Sequence, residues 1–237
     1  MDLGIEGKVA LVTAASRGLG RGAALGLARE RCRVAICARD SEPLRATAAE
    51  LGSDALAIPA DVTDPDAPRH LVDATLERFG TVDILVANAG GPPRARSLDV
   101  TDEEMGAALN ANLMTSIRLV REAVPHMREA GWGRVVLITS YGVKQPIPEL
   151  AYSNTARTGL WAWAKTAAQD LMDAGVTVNL VCPGPHDTER ARALGLGGRK
   201  GDPEDFGRVI AFLCSTSAAF VSGVALQVDG ASTLGLL

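Results

Sequence analysis

Seven short apolar runs, separated by segments with helical spacing, are the feature of this chain that most restricts its fold. The runs are nearly continuous, as in Val9-Ala10-Leu11-Val12 and Ile84-Leu85-Val86-Ala87. Strands of a parallel sheet covered by helices on both faces need apolar side chains on both sides, so they lack polar alternation. The pattern therefore predicts repeated βαβ units, an α/β fold with a doubly wound, seven-stranded parallel sheet flanked by helices.

The predicted strands span residues 8–13, 33–38, 55–60, 82–87, 134–139, 176–181 and 224–228. The predicted helices span residues 18–31, 43–51, 65–79, 102–130, 151–173 and 203–215. Thr101 and Glu104 form a capping pattern that favours a helix start. Right-handed crossovers between these units give a Rossmann-type sheet with its ligand crevice at the carboxyl ends of the strands. At 237 residues the chain can form one large core, so we expect a single domain over residues 1–237.

The charge balance restricts the partners. The chain has 24 Lys plus Arg against 28 Asp plus Glu, a net charge of -4, with both signs scattered along the sequence. This argues against a nucleic-acid or anionic-membrane partner. The N-terminal residues carry no secretory pattern, and no apolar stretch reaches about 18 residues. We therefore expect a cytoplasmic protein. Its histidines share no metal-ligand spacing, so no metal is expected.

A loop of small residues joins the first predicted strand to the first predicted helix. Residues 13–20 read Thr-Ala-Ala-Ser-Arg-Gly-Leu-Gly. Small residues let the backbone approach a pyrophosphate, and a helix N-terminus offers free N–H groups and a positive dipole end. We therefore expect a dinucleotide here. The candidate binding residues are Thr13, Ser16, Arg17, Gly18, Leu19 and Gly20.

The end of the second predicted strand points to the type of dinucleotide. NAD-binding domains commonly place an acidic residue at this position, on the ribose hydroxyls. Here the first polar residue is Arg39, and Arg17 lies in the preceding loop. Two guanidinium groups suit a 2′-phosphate, because they are planar and donate several hydrogen bonds. The sequence favours NADP(H) over NAD(H), while Asp40 keeps NAD(H) as an alternative.

Further segments follow in a characteristic order: Asp61-Val62, Ala87-Asn88-Ala89-Gly90, Pro183-Gly184 with Thr188, and Val228-Asp229-Gly230. Together with the glycine loop they resemble the motifs of the short-chain dehydrogenase/reductase family over most of the chain. Ala14 stands where that family usually has the first glycine of its loop. An alanine is compatible with the motif if the backbone does not need a positive φ there.

The resemblance assigns roles to these segments. It implies that Asp61 and Val62 contact the adenine. It implies that the fourth-strand motif, Asn88, Ala89 and Gly90, braces the sheet beside the cofactor. It also implies that the segment after the sixth strand holds the nicotinamide carboxamide, through Pro183, Gly184 and Thr188.

The family's reductases use a tyrosine as general acid, a serine that holds the carbonyl oxygen, a lysine that lowers the pKa of the tyrosine, and an asparagine that anchors a relay water. Asn112 aligns with the asparagine, with Asn110 as the alternative, and Ser140 aligns with the serine. The tyrosine and lysine, which lie four residues apart, are not matched, since Ala156 follows Tyr152 at that spacing. An alignment without gaps places Ser153 and Arg157 at the two positions.

Three interpretations stay open. In the first, Tyr152 is the acid after a one-residue slip at the helix start, with Arg157 as the helper cation. In the second, Ser153 and Arg157 occupy the site and the proton comes from water or Tyr141. In the third, the fold has left redox chemistry. In each interpretation Arg157 stays charged, and its planar guanidinium can donate hydrogen bonds to a ribose or to a substrate carboxylate.

The family's substrate lid corresponds to residues of about 188–202, a stretch that is short and rich in Gly and Arg. We expect a truncated, mobile loop and an open site, which suits a bulky or carrier-bound substrate. Basic residues of this loop suit a phosphate or an acidic carrier protein, and a solvated loop is the alternative. The resemblance implies that the helix that carries Arg157, Trp161 and Trp163 packs in a dimer interface, so we expect a homodimer or homotetramer.

These features predict an NADP(H)-dependent oxidoreductase that interconverts a carbonyl and an alcohol. The alternative is a non-redox enzyme derived from the same family, or a non-catalytic partner subunit that forms a hetero-oligomer with a second family member. The missing tyrosine–lysine pair favours the alternative. The matched Asn112, Ser140 and cofactor segments favour the oxidoreductase.

Overall fold

The seven apolar runs pair side by side in one parallel sheet with the strand order β3-β2-β1-β4-β5-β6-β7. The computed structural model describes residues 2–195 and 197–236. The described strands are β1 (Val9–Val12), β2 (Arg33–Ala38), β3 (Leu56–Pro59), β4 (Ile84–Ala87), β5 (Gly133–Ile138), β6 (Val176–Pro183) and β7 (Ala225–Val228). The order reverses beside β1, as in a doubly wound sheet. The predicted fold class is confirmed.

Helices cover both faces of the sheet. The described helices are α1 (Gly18–Arg29), α2 (Ser41–Leu51), α3 (Ala67–Phe79), α4 (Asp102–Leu109), α5 (Thr115–Glu129), α6 (Ala151–Leu171), α7 (Glu189–Ala193) and α8 (Pro203–Leu213). Alternate residues of β1 enter opposite cores. Val9 and Leu11 join the core under α3, α5 and α6, while Ala10 and Val12 join the core under α1 and α8. This two-sided burial explains why the strands read as continuous apolar runs.

Helices α1 and α8 cross at three glycines. A Cβ at Gly22 would collide with the carbonyl of Pro203, and one at Gly207 would collide with the carbonyl of Gly22. Gly26 packs equally closely against Gly207. This close approach fixes the start of α1, which borders the cavity described below.

We expect Gly22→Ala to lower the free energy of unfolding by about 3 kcal/mol, because the added methyl must push two helix backbones apart. Gly106→Ala is the matched control. Gly106 is exposed on α4, and no atom of the described residues lies within 4 Å of its Cβ position. The control should gain about 0.5–1 kcal/mol from the better helix propensity of alanine. Urea unfolding measures both, and equal effects would contradict the close crossing.

The helix predicted over residues 102–130 is interrupted. Residues Asn110–Met114 form a π-helical turn between α4 and α5. The side chain of Asn110 donates to the Thr63 carbonyl at 2.9 Å, and the Thr115 hydroxyl donates to the Asn110 carbonyl at 2.9 Å. Residues 102–129 are helical as predicted, and the π-helical turn inside this segment is the feature that the sequence did not predict. The predicted cap is confirmed, because the Thr101 hydroxyl accepts from the Glu104 amide at 3.2 Å.

The lid region also contains structure that the sequence did not predict. The short helix α7 follows Thr188, whose hydroxyl accepts from the amide of Ala191 at 3.2 Å. At its base, the Asp187 amide donates to the Gly201 carbonyl, and the Gly201 amide donates to the Pro185 carbonyl, both at 2.9 Å. An unstructured loop over 188–202 was therefore wrong for the described part, and position 196 lies outside the described residues.

Candidate active site

A cavity of about 820 Å³ opens at the carboxyl ends of the strands. The loop after β1, the ends of β2 to β6, the start of α6 and the region around α7 build its wall. The predicted site residues that line it are Ser16, Arg17, Gly18, Leu19, Arg39, Asp61, Val62, Asn88, Ala89, Gly90, Ser140, Ser153, Arg157, Pro183, Gly184 and Thr188. One concave site therefore contains most residues of the predicted cofactor and catalytic sets.

Two predicted cofactor residues brace the wall from behind. Thr13 is fully buried, and its hydroxyl donates to the Asn88 carbonyl at 2.7 Å and accepts from the Asn88 amide at 2.8 Å. The Asn88 side chain donates to the Ala14 carbonyl at 3.2 Å. Gly20 packs against the same carbonyl so closely that a Cβ would clash. Thr13 and Gly20 therefore hold the loop in place rather than face the cavity.

Ala14 adopts a left-handed backbone conformation, with φ of 47°. The condition set from the sequence, that this position does not need a positive φ, is not met. The contact of its carbonyl with Asn88 and the hydrogen bond from the Ala15 amide to the Cys37 carbonyl at 2.9 Å hold the turn in place. The loop thus keeps the backbone path of a glycine while carrying a methyl group, which costs free energy.

We expect Ala14→Gly to raise the free energy of unfolding by about 0.5–1 kcal/mol, because glycine adopts a positive φ without the steric penalty of alanine. The higher conformational entropy of glycine in the unfolded chain offsets part of this gain. Ala15→Gly is the matched control. Ala15 is fully buried and lacks a positive φ, so the control should lose roughly 1 kcal/mol. Chemical denaturation of both variants tests this, and a loss in Ala14→Gly would contradict strain at Ala14.

The first turn of α1 presents backbone N–H groups to the cavity. Among the described residues no side chain caps this helix, and its first turn contains no acidic residue. Gly18, with φ of 58°, and Gly90 both border the cavity, and no described atom lies within 4 Å of a Cβ at Gly90. An uncapped helix start beside bare backbone fits a phosphate group.

Two arginines stand at the β2 side of the cavity, each near a carboxylate. Nη1 of Arg17 lies 2.6 Å from Oε2 of Glu189 on α7, and both side chains are more than half exposed. Nη1 of Arg39 lies 4.0 Å from Oδ2 of Asp61. The pKa of Asp61 is lower than its usual value, mainly because its carboxylate accepts a hydrogen bond from the Thr63 amide. Burial opposes this with a smaller effect, and the Thr63 hydroxyl and Arg39 lower the pKa further. Asp40 caps α2, since its carboxylate accepts from the Glu42 amide at 3.3 Å.

Ser140 and Ser153 line the opposite part of the cavity with Arg157. Ser140 follows β5, and its Oγ accepts from the amide of Gly142 at 3.1 Å. The hydroxyl hydrogen of Ser140 is therefore available to a ligand oxygen. Ser153 and Arg157 lie four residues apart on α6, which places them on one face of the helix.

Tyr152 points elsewhere. Its side chain is fully buried, its hydroxyl donates to Glu104 at 2.5 Å, and it accepts from the Thr101 amide at 3.0 Å. These bonds tie the start of α6 to the start of α4. One residue along a helix turns a side chain by about 100°, and the structure contains no slip that compensates this rotation. The interpretation in which Tyr152 is the acid is therefore not supported by the geometry.

Arg157 is a buried cation on the cavity wall, 8% exposed. Its Nη1 donates to the Ile138 carbonyl at 3.0 Å. Burial, and then the nearby Arg190, lowers the pKa of Arg157 to about 10, with a small opposing effect from Cys182. No carboxylate of the described residues lies within ion-pair distance of it.

Asn112 lies behind the cavity wall in the π-helical turn. It is 3% exposed, and its Oδ1 has no hydrogen-bond partner among the described residues. Its neighbour Ala111 lines the cavity. A π-helical turn often marks a functional position, and a buried carbonyl oxygen without a donor suits an ordered water. This agrees with the relay-water role that the family resemblance implies.

Arg190 is one of the basic residues of the 188–202 stretch that we expected to suit a phosphate or an acidic carrier protein. It lies on α7, lines the cavity, and donates from Nη2 to the Pro92 carbonyl at 2.7 Å. Arg94 also lines the cavity and donates to the Leu194 carbonyl at 2.9 Å. Basic residues in the 188–202 stretch and the prolines after Gly91 were the available signals, but their meeting depends on the fold.

Comparison with known proteins agrees with this geometry. Residues 13–233 match the family model described as enoyl-(acyl carrier protein) reductase. The chain is 33% identical to 3-oxoacyl-[acyl-carrier-protein] reductase FabG of Escherichia coli, over 96% of this chain and 98% of the relative. It is 30% identical to dehydrogenase/reductase SDR family member 4 of Sus scrofa, over 95% of this chain and 87% of the relative.

A solved structure gives the same result. The L-sorbose reductase of Gluconobacter frateurii, complexed with NADPH and L-sorbose, superposes with a TM-score of 0.91 at 29% identity, covering 97% of this chain and 98% of that one. The chain belongs to the short-chain dehydrogenase/reductase family. Within that family it is an oxidoreductase. No helix in residues 2–195 and 197–236 is long and apolar enough to cross a membrane.

Proposed function

We propose that this enzyme uses NADP(H) to interconvert a carbonyl and an alcohol on a small or carrier-bound substrate. The observation that carries the proposal is the shared cavity, in which an uncapped α1 start and two arginines lie opposite Ser140, Ser153 and Arg157. The relative that was solved with NADPH supports the choice of cofactor.

The residues present fit NADP(H). The α1 start and Gly18 leave room and donors for a pyrophosphate. Asp61 and Val62 border the space that an adenine needs, and Arg17 and Arg39 suit a 2′-phosphate once Arg17 is released from Glu189. Pro183, Gly184 and Thr188 line the cavity at and after the end of β6, where they would hold the carboxamide. When bound, NADPH supplies a hydride to the carbonyl carbon.

The side chains of this chain would act on the carbonyl oxygen. Ser140 donates its free hydroxyl hydrogen to that oxygen and so positions it. Arg157 is a buried positive charge on the same wall and would attract a negatively charged part of the substrate. Ser153 orients the substrate, because a serine hydroxyl is too weak an acid to release its proton readily. The proton reaches the alkoxide from water or from Tyr141, which also lines the cavity.

A panel of ketones, aldehydes and acyl thioesters, followed by loss of NADPH absorbance, tests this function. With an active substrate, we expect Ser140→Ala to lower kcat/KM by about 100-fold, because one oxyanion donor is lost. Ser97→Ala, at an exposed position, is the matched control and should keep the full rate. Tight NADPH binding without turnover of any carbonyl would instead favour the non-catalytic partner-subunit alternative.

For the assembly, we propose a homodimer or homotetramer formed partly through α6. Trp161 and Trp163 are half-buried there, and they would bury further area in such a contact. A monomeric mass in solution would contradict this proposal without affecting the cofactor assignment.

A further inference from the structure

A buried positive charge faces the cavity without a negative partner. The Arg157 guanidinium has five N–H donors, and its recorded hydrogen bond among the described residues goes to one backbone carbonyl, that of Ile138. The side chain is nine-tenths buried, yet it forms part of the cavity wall. A buried charge of this kind is unfavourable unless a ligand or a side chain compensates it.

The surrounding charges increase this imbalance. Arg190 lines the same cavity and is close enough to repel the Arg157 charge. The acidic residues that line this cavity are engaged elsewhere: Glu189 with Arg17, Asp61 with Thr63, and Asp40 with the start of α2. The end of the cavity beside Ser140 therefore carries uncompensated positive charge among the described residues.

We propose that this end of the cavity binds a carboxylate of the substrate through Arg157, with Arg190 adding to the positive potential. The inference rests on the proposed function and narrows it to oxo-acids and hydroxy-acids of small size. A guanidinium binds a carboxylate through two parallel hydrogen bonds, which would use donors of Arg157 that Ile138 leaves free. Burial and repulsion by Arg190 lower the pKa of Arg157, and a bound anion would relieve both effects.

The depth of Arg157 restricts the source of the carboxylate. An acidic side chain on a carrier protein would have to enter a wall position that is 8% exposed. A free small molecule inside the cavity reaches it without such an approach. The hydroxyls of Ser140 and Ser153 beside it are neutral donors that suit a second oxygen of the same molecule.

Titration calorimetry with malonate as a small dicarboxylate tests this, run on the free protein and on the protein saturated with NADP⁺. Malonamide, which has the same shape without charge, is the ligand control. Arg157→Gln removes the positive charge, while Arg157→Lys keeps the charge but lacks the planar guanidinium group. Arg192→Gln, at an exposed position of α7, is the protein control. Circular dichroism of each variant is the control for correct folding.

We expect the wild type to bind malonate, and to bind malonamide more than about tenfold more weakly. Arg157→Gln should raise the dissociation constant of malonate by about tenfold or more. The malonate affinity of Arg157→Lys should lie between those of the wild type and Arg157→Gln, and the malonate affinity of Arg192→Gln should equal that of the wild type. Equal malonate affinity in Arg157→Gln and wild type would overturn the proposal. So would a variant that loses NADP⁺ affinity but keeps malonate affinity, since Arg157 would then serve the cofactor.

The NADP⁺ titration of the wild type separates this proposal from the proposed function. If the wild type binds malonate through Arg157 but does not bind NADP⁺, the carboxylate site stands and the redox function fails. If it binds NADP⁺ but not malonate in either state, the cofactor assignment of the proposed function stands and the carboxylate site fails.

Discussion

Arg157→Met is expected to make the free protein more stable by about 1–2 kcal/mol at pH 7. Burial, and then Arg190, lowers the pKa of Arg157 to about 10, which corresponds to roughly 3 kcal/mol against the charged form in the folded protein. Loss of the hydrogen bond to the Ile138 carbonyl offsets about 1 kcal/mol of this gain. Methionine is apolar and flexible, so it fills most of the space that the arginine leaves.

The pH dependence of this effect has a defined sign. Because the folded-state pKa of Arg157 is lower than the unfolded-state value, the destabilisation is fully present below about pH 10. It disappears as the pH rises from about 10 towards the unfolded-state pKa. The stability difference between Arg157→Met and wild type should therefore be constant from pH 7 to pH 9 and smaller at pH 10.5.

Urea unfolding at these pH values measures the difference, with Lys165→Met as the matched control. Lys165 is exposed on the same helix, so its substitution should change the free energy of unfolding by less than about 0.5 kcal/mol. A destabilised Arg157→Met protein would show that the Arg157 charge is compensated in the free enzyme. The basis for the carboxylate site would then be lost.

The double variant Arg17→Ala/Arg39→Ala is expected to raise the dissociation constant of NADPH by about 30- to 100-fold and that of NADH by less than about threefold. Each arginine would contribute one or two charge-assisted hydrogen bonds to the 2′-phosphate, which NADH lacks. The side chain of Arg17 is 56% exposed and that of Arg39 is 80% exposed. Solvent screening therefore keeps the contribution of each arginine to NADPH binding at the lower end of the range for charge-assisted hydrogen bonds.

Two further variants make this prediction specific. Glu189→Gln removes the carboxylate that competes for Arg17, so NADPH should bind a few times more tightly with NADH unchanged. Arg45→Ala removes an exposed arginine of α2 outside the cavity wall and should change neither affinity. Equal losses for NADPH and NADH in the double variant would show that the arginines do not recognise the 2′-phosphate.

Local patterns in the sequence were sufficient for the sheet and for the position of the loop between β1 and α1. The β1 residues Val9 to Val12 are buried on both faces, and this requirement is visible in the sequence itself. The Thr101 cap is likewise local, because its partner Glu104 lies three residues away. By contrast, the π-helical turn depends on the contact between Asn110 and Thr63, 47 residues apart, which no local pattern contains.

The catalytic side required the structure for a different reason. A shift of one residue decides whether Tyr152 or Ser153 faces the cavity, and the sequence contains evidence for both registers. The hydrogen bonds of the Tyr152 hydroxyl with Glu104 and Thr101 fix the register. Helix α7 escaped prediction because it has only five residues, and Arg190 anchors it to Pro92, 98 residues earlier in the chain.

Titration of the wild-type enzyme with NADPH and NADH, followed by nicotinamide fluorescence, tests the central claim most directly. A single cavity built from the α1 start, Arg17 and Arg39 should bind NADPH at least about tenfold more tightly than NADH. Failure to bind either dinucleotide would contradict the assignment of this cavity to a nicotinamide cofactor, and with it the proposed carbonyl/alcohol chemistry.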